Sequence, residues 1–432
     1  MTQDSARKKA VRARMARTGA KYTEASRAMN VARTRDAASP LYLFTPGLTR
    51  VYDGPAGHAE GAFAFLDRSA WPRCAAARDE LERWFARYPD GPERNDRKDL
   101  RQRFRSSNRR DHLGAWWELY LHRVFTSLGY AVEPHPRIAG TGKSPDFLLT
   151  KGGASFLLEA VTTVSGIVDA AGRAAHREAE LLDILDSVSH PDFSISVEIE
   201  SVGPNTLKRK LIAGLLLARL NELDPNDVRW ESGSYDDEFV LDQDGWRVTF
   251  TPYLRGDLDD PDPNHRMIGG GPVTVGSIDD RSKLAAALKS KRSKYGCPEL
   301  PYVVAVLREG FSPDDEDAMS ALVGTHALAY RMRGGPSEAR WTRWTRLHDG
   351  MWLRGTQAKH GEHVSAVLIG DKISELNFAD HSPVLWPNPW ASRPLTDDLP
   401  FAQAVINPGN LDKPTHVEAN ATLVSALAVM DE

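Results

Sequence analysis

Apolar residues recur along the chain at two spacings, one typical of helices and one typical of strands. The clearest helical stripe lies in residues 112–128, where an apolar side chain follows every three or four positions. Its members are Leu113, Trp117, Leu121, Val124 and Leu128. The same criterion predicts helices at 72–88, 98–105, 168–187, 205–223, 282–294 and 315–332. Short apolar or alternating runs predict strands at 41–44, 130–133, 146–150, 155–162, 193–202, 246–254, 302–307 and 364–369.

Helices interspersed among strands predict an α/β (α+β mixed) fold. With 432 residues, and about 150 residues per domain, the chain is long enough for two or three structural units. Charge and the placement of Pro and Gly divide it into four segments. These are a basic helical N-terminal arm (1–37), a linker and helical lead-in (38–110), an α/β core (111–310) with an acidic insertion around 224–268, and a C-terminal α/β elaboration (311–432).

Positive charge is concentrated near the N-terminus, although the formal net charge of the whole chain is only −4. Residues 1–36 contain ten Lys or Arg and three acidic residues. Clustered cations of this kind can contact nucleic-acid phosphates, and a solvated tail is an equal alternative. The candidate contacts are Lys8, Lys9, Arg12, Arg14 and Arg17.

Cysteine content and hydropathy indicate the compartment. The sequence has two cysteines, Cys74 and Cys297, so we expect no disulfide framework. The longest apolar stretch, residues 211–220, is about half of the roughly 20 residues that a membrane span needs. The charged first residues lack the apolar segment of a secretory signal. We therefore expect a cytoplasmic protein with no membrane partner.

Two acidic residues are predicted to face each other in a hairpin at residues 144–161. A Gly-Gly pair between two apolar runs suits a two-residue turn with positive φ, in which Lys151 would pair with Ala154. The same register places Asp146 opposite Glu159, with Cβ atoms about 4.5–5.5 Å apart. Two carboxylates at that distance repel each other, and a divalent cation between them would remove the repulsion. Carboxylate oxygens without Cys or His nearby favour Mg²⁺ or Mn²⁺ over zinc.

The pattern Pro145-Asp146, twelve further residues, then Glu159 in an apolar strand resembles the PD-(D/E)xK nuclease superfamily. The resemblance covers about residues 111–223 and adds Glu118, in the sequence GAWWELYLH, as the acid on the preceding helix. It implies a restriction-endonuclease-like central sheet flanked by helices. It also implies that Asp146 and Glu159 hold Mg²⁺ (or Mn²⁺), that Glu118 completes the metal shell, and that phosphodiester bonds are hydrolysed. DNA is the expected nucleic-acid substrate, in a defence or DNA-processing role.

One position departs from the pattern of the superfamily. The Lys that follows the Glu by two residues is replaced by Val161. In such sites that Lys helps to orient the attacking water and to stabilise charge at the phosphate, so its absence demands a substitute or disables hydrolysis. The candidate substitutes are Lys143 before the hairpin, Lys208 and Lys210 after the next strand, and, as weaker choices, Arg173, His176 and Arg177.

Two other classes of function stay open. A fold that keeps the acids without the Lys could serve as a catalytically degenerate nucleic-acid-binding or assembly module. The basic arm could instead belong to a toxin-antitoxin-like DNA-binding regulator. A homodimer is also compatible with the sequence. The segments RARMARTGAKYTEASR and NPWASRPL look like parts of actinobacterial proteins, a similarity that implies no activity.

Two histidines and one Trp-Arg segment carry weaker signals. Lone histidines such as His122 and His135 are more often hydrogen-bonded structural residues than ligands. The segment RWTRWTR (340–346) has the aromatics and cations of a nucleic-acid stacking surface. Trp side chains three residues apart are more often packed on a core and covered by Arg stems, so we expect packing there.

Overall fold

The computed structural model describes most of the chain between residues 41 and 419. The described ranges are 41–91, 95–138, 142–164, 170–226, 238–255, 266–270, 280–292, 294–309, 314–331, 340–352, 361–396 and 398–419. The chain forms two compact units, Met1–Pro46 and Gly47–Glu432. Outside the described residues lie the five cations of the predicted N-terminal arm: Lys8, Lys9, Arg12, Arg14 and Arg17.

The described part of the larger unit contains eight helices and fourteen strands. The helices are α1 (Ala62–Arg68), α2 (Pro72–Arg87), α3 (Asp96–Phe104), α4 (Arg109–Ser127), α5 (Ala170–Asp186), α6 (Arg209–Leu220), α7 (Asp280–Arg292) and α8 (Asp315–Val323). The strands are β1 (Ala131–Pro134), β2 (Phe147–Lys151), β3 (Ala154–Thr162), β4 (Phe193–Ser201), β5 (Phe239–Gln243), β6 (Trp246–Leu254), β7 (Ile268–Gly270), β8 (Tyr302–Arg308), β9 (His326–Arg331), β10 (Arg340–Arg346), β11 (Ala366–Asp371), β12 (Val384–Pro387), β13 (Ala402–Asn407) and β14 (Asn410–Val417).

An eight-stranded mixed sheet forms the centre of the larger unit. Its spatial order is β1-β2-β3-β8-β11-β12-β13-β14, in which β3, β8 and β11 are parallel and β1 to β3 form an antiparallel meander. Every residue of β8 is buried, as expected for a parallel strand that is covered on both faces. The mixed α/β class is therefore confirmed. The last four strands come from residues 366–417, so the sheet crosses the boundary that we placed at residue 310.

Helices α4 and α7 lie on opposite faces of β3. On one face, the ring of Phe156 contacts Phe125 of α4, with centroids 5.8 Å apart. On the other face, Leu157 belongs to the same buried cluster as Leu284 and Leu288 of α7. Because side chains alternate along a strand, consecutive residues of β3 point to opposite faces of the sheet. Glu159 lies on the same face as Leu157, which is the side of α7.

A second sheet of four strands is inserted between β3 and β8 in the chain. Its order is β5-β6-β4-β7. Together with α5 and α6 it forms a separate buried cluster that includes Leu216, Trp246 and Phe250. The predicted acidic insertion at 224–268 falls in this part of the molecule, and its described residues supply β5, β6 and the start of β7.

Two predicted elements are wrong. The helix predicted at 315–332 ends at Val323, because Gly324 adopts a φ of +109°, and strand β9 follows. Residues 41–44, which belong to the smaller unit, form no strand within its described residues. The nearby Pro46 has no N–H to donate to a partner strand.

The Trp-Arg segment at 340–346 forms β10, which pairs with β9 in a two-stranded sheet. Trp344 is 60% exposed and its ring lies 4.8 Å from that of His326. For Trp344, the expected packing on the core is therefore wrong. None of the helices described is both long and apolar enough to cross a membrane.

Candidate active site

The β2–β3 hairpin has the register that its sequence predicts. The two residues that flank the turn pair with each other, and Phe147 pairs with Leu158. The turn glycines have φ values of +59° and +88°, a region that glycine adopts without strain. Continued by one position, this register puts Asp146 opposite Glu159.

Asp146 directs its carboxylate toward β3 from the residue just before β2. Its Oδ2 accepts a hydrogen bond of 2.7 Å from the backbone N–H of Ala160. Burial, together with the negative charges of Glu159 and Glu118, raises the pKa of Asp146 well above its usual range. Burial and the neighbouring charges therefore oppose ionisation of Asp146, and a cation bound there would stabilise its charged form.

Glu159 has no solvent-exposed surface, and three side chains from one short segment surround its carboxylate. Lys291 and Lys294 each donate to Oε1, with N···O distances of 2.5 and 2.6 Å. The hydroxyl of Tyr295 contacts Oε2 and lies 2.8 Å from the carbonyl oxygen of Ser144. A buried carboxylate without such partners would be strongly destabilising. Two ammonium groups and a phenol thus replace the water that Glu159 lacks.

Helix α7 brings these lysines to the hairpin from outside the predicted motif. Leu284 and Leu288 are fully buried and hold one face of α7 against the sheet. Lys291 follows Leu288 by three residues and therefore continues that face, and Lys294 comes just after the helix. Neither lysine was predicted as a site residue. The dense basic run at 289–294 is the one feature of the sequence that could have indicated them. Such a run has another explanation, because the helix dipole favours cations at a helix C-terminus.

Of the cations predicted to replace the motif Lys, Lys143 contacts the segment whose side chains surround Glu159. Its ammonium donates to the backbone carbonyl of Lys294 at 2.9 Å. Lys208 and Lys210 lie at the start of α6, which packs in the cluster of the second sheet. The ammonium groups found on Glu159 therefore come from α7 and its C-terminal end rather than from α6.

The three weaker candidates, Arg173, His176 and Arg177, lie on α5. Arg177 donates to the carbonyl oxygen of Gly203 at 2.8 Å, and His176 lies 3.6 Å from Glu180. The contacts of Arg177 and His176 therefore belong to α5 and to the chain that follows β4.

Glu118 is held by an arginine of α3. Two guanidinium nitrogens of Arg103 donate to its two carboxylate oxygens, at 2.8 and 2.6 Å, and Arg103 also contacts Asp99. This bidentate geometry is the strongest form of Arg–carboxylate pairing. Within the described ranges, no three His, Cys, Asp or Glu side chains form a group that could hold a metal ion. Beside the effect of burial, the charge of Glu118 contributes to the raised pKa of Asp146.

His135 lies beside Asp146, a position that its sequence context did not indicate. Its backbone N–H donates to the carbonyl oxygen of Asp146 at 2.9 Å, and its own φ is +48°. Its Nδ1 lies 4.0 Å from Asp146 Oδ1, and its Nε2 lies 3.6 Å from Asp96 Oδ1. His135 therefore connects the hairpin acid to the start of α3.

A cleft of about 560 Å³ lies next to the end of the hairpin; Ala160 and Lys291 line it, and neither Asp146 nor Glu159 does. Its walls are the last residues of β3, one face of α7 and the first turns of α4. Val161 and Lys291 both line it. Because Val161 shares a strand face with Glu159, a Lys at that position would point to the α7 side of the sheet. Lys291 brings an ammonium to the same side from the opposite wall.

The donor chemistry of the carboxylate pair fits a hard divalent cation. Carboxylate oxygens are the ligands that Mg²⁺ and Mn²⁺ prefer. Lys291 and Lys294 supply positive charge to the same oxygen, and their side chains are 22% and 31% exposed, so they can turn toward solvent. Comparison with family models, with curated proteins and with solved structures finds no match to this chain.

Proposed function

We propose that the protein is a metal-dependent, nuclease-like hydrolase of phosphodiester bonds, with DNA as the expected substrate. One observation carries the proposal: Asp146 and Glu159 are opposed in a hairpin, and two lysine ammonium groups contact Glu159 where a cleft opens. Like charges are not placed opposite each other for stability, since opposed carboxylates destabilise a sheet. Perturbed carboxylates in a cleft are typical of functional sites.

Each group in this proposal has a separate role. Asp146 and Glu159 would hold Mg²⁺ or Mn²⁺, and the bound ion would supply Lewis-acid chemistry toward the phosphate and an activated water. Lys291, which lines the cleft, moves from Glu159 to a phosphate oxygen and stabilises the charge that develops there. Lys294 stays hydrogen-bonded to Glu159. His135 fixes the backbone of Asp146 through its N–H.

A non-catalytic nucleic-acid-binding module is the second candidate. The observation in its favour is that Lys291 and Lys294 already neutralise Glu159. A site balanced in this way needs no metal to be stable, and it could present its cations to phosphates without cleaving them.

A cleavage assay separates the two candidates. We expect cutting of nucleic acid that requires Mg²⁺ or Mn²⁺ and falls by at least about a hundredfold in Asp146→Asn and in Glu159→Gln. The matched control is Asp380→Asn, which removes the charge of an exposed acid without a role in the site. Absence of cutting on single- and double-stranded DNA and RNA, with no metal binding in calorimetry, would contradict the hydrolase and favour the binding module.

A further inference from the structure

We propose that the ammonium of Lys291 occupies the cation position of the Asp146–Glu159 pair, so that Lys291 and a divalent cation exclude each other there. The inference rests on the proposed function, because it concerns the metal of that same site. It adds an order of events, in which Lys291 becomes free to meet a phosphate only when a metal ion takes its place on Glu159.

The charge of Lys291 acts on both acids of the pair. Its Nζ donates to Glu159 Oε1 at 2.5 Å, and Glu159 has no exposed surface. At Asp146 the same charge opposes burial and the charge of Glu159, which raise the pKa of that carboxyl. A bound divalent ion would compensate the two opposed carboxylates in the same way. Lys291 is therefore a cation that already serves both acids.

The carboxylate of Glu159 leaves little room for a further cation. Lys294 also donates to Oε1, at 2.6 Å, and the hydroxyl of Tyr295 contacts the other oxygen, Oε2. Since a carboxylate oxygen has about two lone-pair sites, two ammonium groups fill those of Oε1. A metal ion on Oε1 would replace one ammonium, and a metal ion on Oε2 would lie close enough to both to repel them.

Of the two lysines, Lys294 is held by additional contacts. Its Nζ lies 5.1 Å from the centroid of the Tyr295 ring, and its backbone carbonyl accepts a hydrogen bond of 2.9 Å from Lys143. Within the described part of the chain, the Nζ of Lys291 contacts no acceptor other than Glu159. The side chain of Lys291 is 22% exposed and lines the adjacent cleft, so solvent is next to it. Lys291 is therefore the lysine that a metal ion displaces.

Calorimetry of metal binding, with no nucleic acid present, tests the exclusion. We expect Mn²⁺ to bind at least about tenfold more tightly to Lys291→Met than to the wild type, because no ion pair with Glu159 has to be broken. Lys294→Met removes the same charge from the same oxygen and should gain less than about threefold, because Lys291 still occupies the position. Lys289→Met is the control for the loss of a positive charge as such, since Lys289 is exposed on the same helix.

Chemical labelling of the wild type measures the displacement without any substitution. Trace acetylation followed by mass spectrometry of the peptides gives the reactivity of each lysine. We expect saturating Mg²⁺ to raise the reactivity of Lys291 at least about threefold relative to that of Lys289, because an ammonium released from Glu159 is open to the reagent.

Two results would overturn the inference: a gain in Mn²⁺ affinity for Lys291→Met that is absent or equalled by either other variant, or a reactivity of Lys291 that Mg²⁺ leaves unchanged. The cleavage assay reads the proposed function separately. A protein that binds Mn²⁺ equally with and without Lys291 and cuts nucleic acid refutes the exclusion and leaves the hydrolase. A protein in which Mg²⁺ releases Lys291 but which cuts nothing supports the exclusion and refutes the hydrolase. Absence of metal binding in the wild type, Lys291→Met and Lys294→Met refutes both.

Discussion

Glu118 on α4 and Glu159 on β3 are both buried carboxylates, and they differ in the cations that neutralise them. Arg103 holds Glu118 through two parallel hydrogen bonds, whereas Lys291 and Lys294 contact Glu159 as two separate ammonium groups on one oxygen. A guanidinium is a planar, preorganised fork, and an ammonium is a point charge on a flexible stem. Glu118 is therefore fixed, and the partners of Glu159 can be exchanged.

The Arg103–Glu118 pair therefore has the properties of a structural ion pair, whereas the surroundings of Glu159 have those of a site that can exchange partners. His112 of α4 also has a fixed partner, since its Nε2 lies 2.7 Å from the buried carboxylate of Glu375. On the α7 side, the lysine that contacts Glu159 also lines an open cleft. Exchangeable cations next to a cleft are what a catalytic site requires, and fixed pairs are what a core requires.

The largest expected effect in this comparison comes from replacing Lys291 and Lys294 one at a time. We expect Lys291→Ala to lower the single-turnover cleavage rate by about 10²- to 10³-fold, because the cleft loses the cation that, in the proposed function, stabilises charge on the phosphate. Lys294→Ala should lower it by less than about tenfold, because Lys294 acts only through Glu159. Equal losses in the two variants would contradict the separate roles.

Neutralising each carboxylate tests the same comparison through stability. We expect Glu118→Gln to lower the free energy of unfolding by about 2–3 kcal/mol, because the guanidinium of Arg103 loses its principal partner. Glu159→Gln should change it by less than about 1 kcal/mol. Burial is the largest cause of the raised pKa of Asp146, and this variant removes the repulsion from Glu159 that adds to it; the charge of Lys291 still acts on Asp146.

Urea unfolding measures both changes, and Asp99→Asn is the control for the α4 side. Asp99 contacts the same Arg103 but is 56% exposed, so its removal should change stability by less than about 0.5 kcal/mol. A larger loss for Glu159→Gln than for Glu118→Gln would show that Glu159 is the structural carboxylate of the two.

The hairpin of the site could be predicted because local rules determine it. The Gly-Gly turn sets the register, and the two-residue period of a strand sets which acids face each other. The α/β class followed in the same way from the spacing of apolar residues. The helix predicted at 315–332 failed at one residue, Gly324, whose positive φ ends the helix where apolar spacing alone continued it.

The lysines could not be predicted because no local rule relates them to the hairpin. Lys291 lies 132 residues after Glu159 in the chain, and the second sheet is inserted between them. Their proximity depends on α7 packing against β3, which is decided by Leu284 and Leu288. His135 was missed for a related reason, since its contact with Asp146 depends on how β1 pairs with β2.

The buried histidines of α4 also predict that the free energy of unfolding depends on pH. His122 is buried between the rings of Tyr88 and Phe147, and burial lowers its pKa from 6.5 to about 4. Below pH 6.5 the unfolded chain therefore binds a proton that the folded chain refuses, and stability falls as the pH drops toward 4. The expected loss between pH 7 and pH 5 is about 2 kcal/mol. Urea unfolding of the wild type and of His122→Phe at the two pH values measures it.

His112, on the same helix, provides the control because its contribution has the opposite sign. Burial opposes its protonation, but the adjacent Glu375 outweighs burial and raises the pKa of His112. The stability from this charged pair is fully present below about pH 6.5 and is lost as the pH rises through the raised pKa. Burial and the ion pair act on the pKa of His112 in opposite directions. His112→Gln should therefore make stability depend less on pH on the alkaline side, and His122→Phe should do the same on the acid side. The contrary outcome is a difference in unfolding free energy between wild type and His122→Phe that is equal at pH 7 and pH 5. That outcome would contradict the assignment of α4 as a helix of fixed, buried groups.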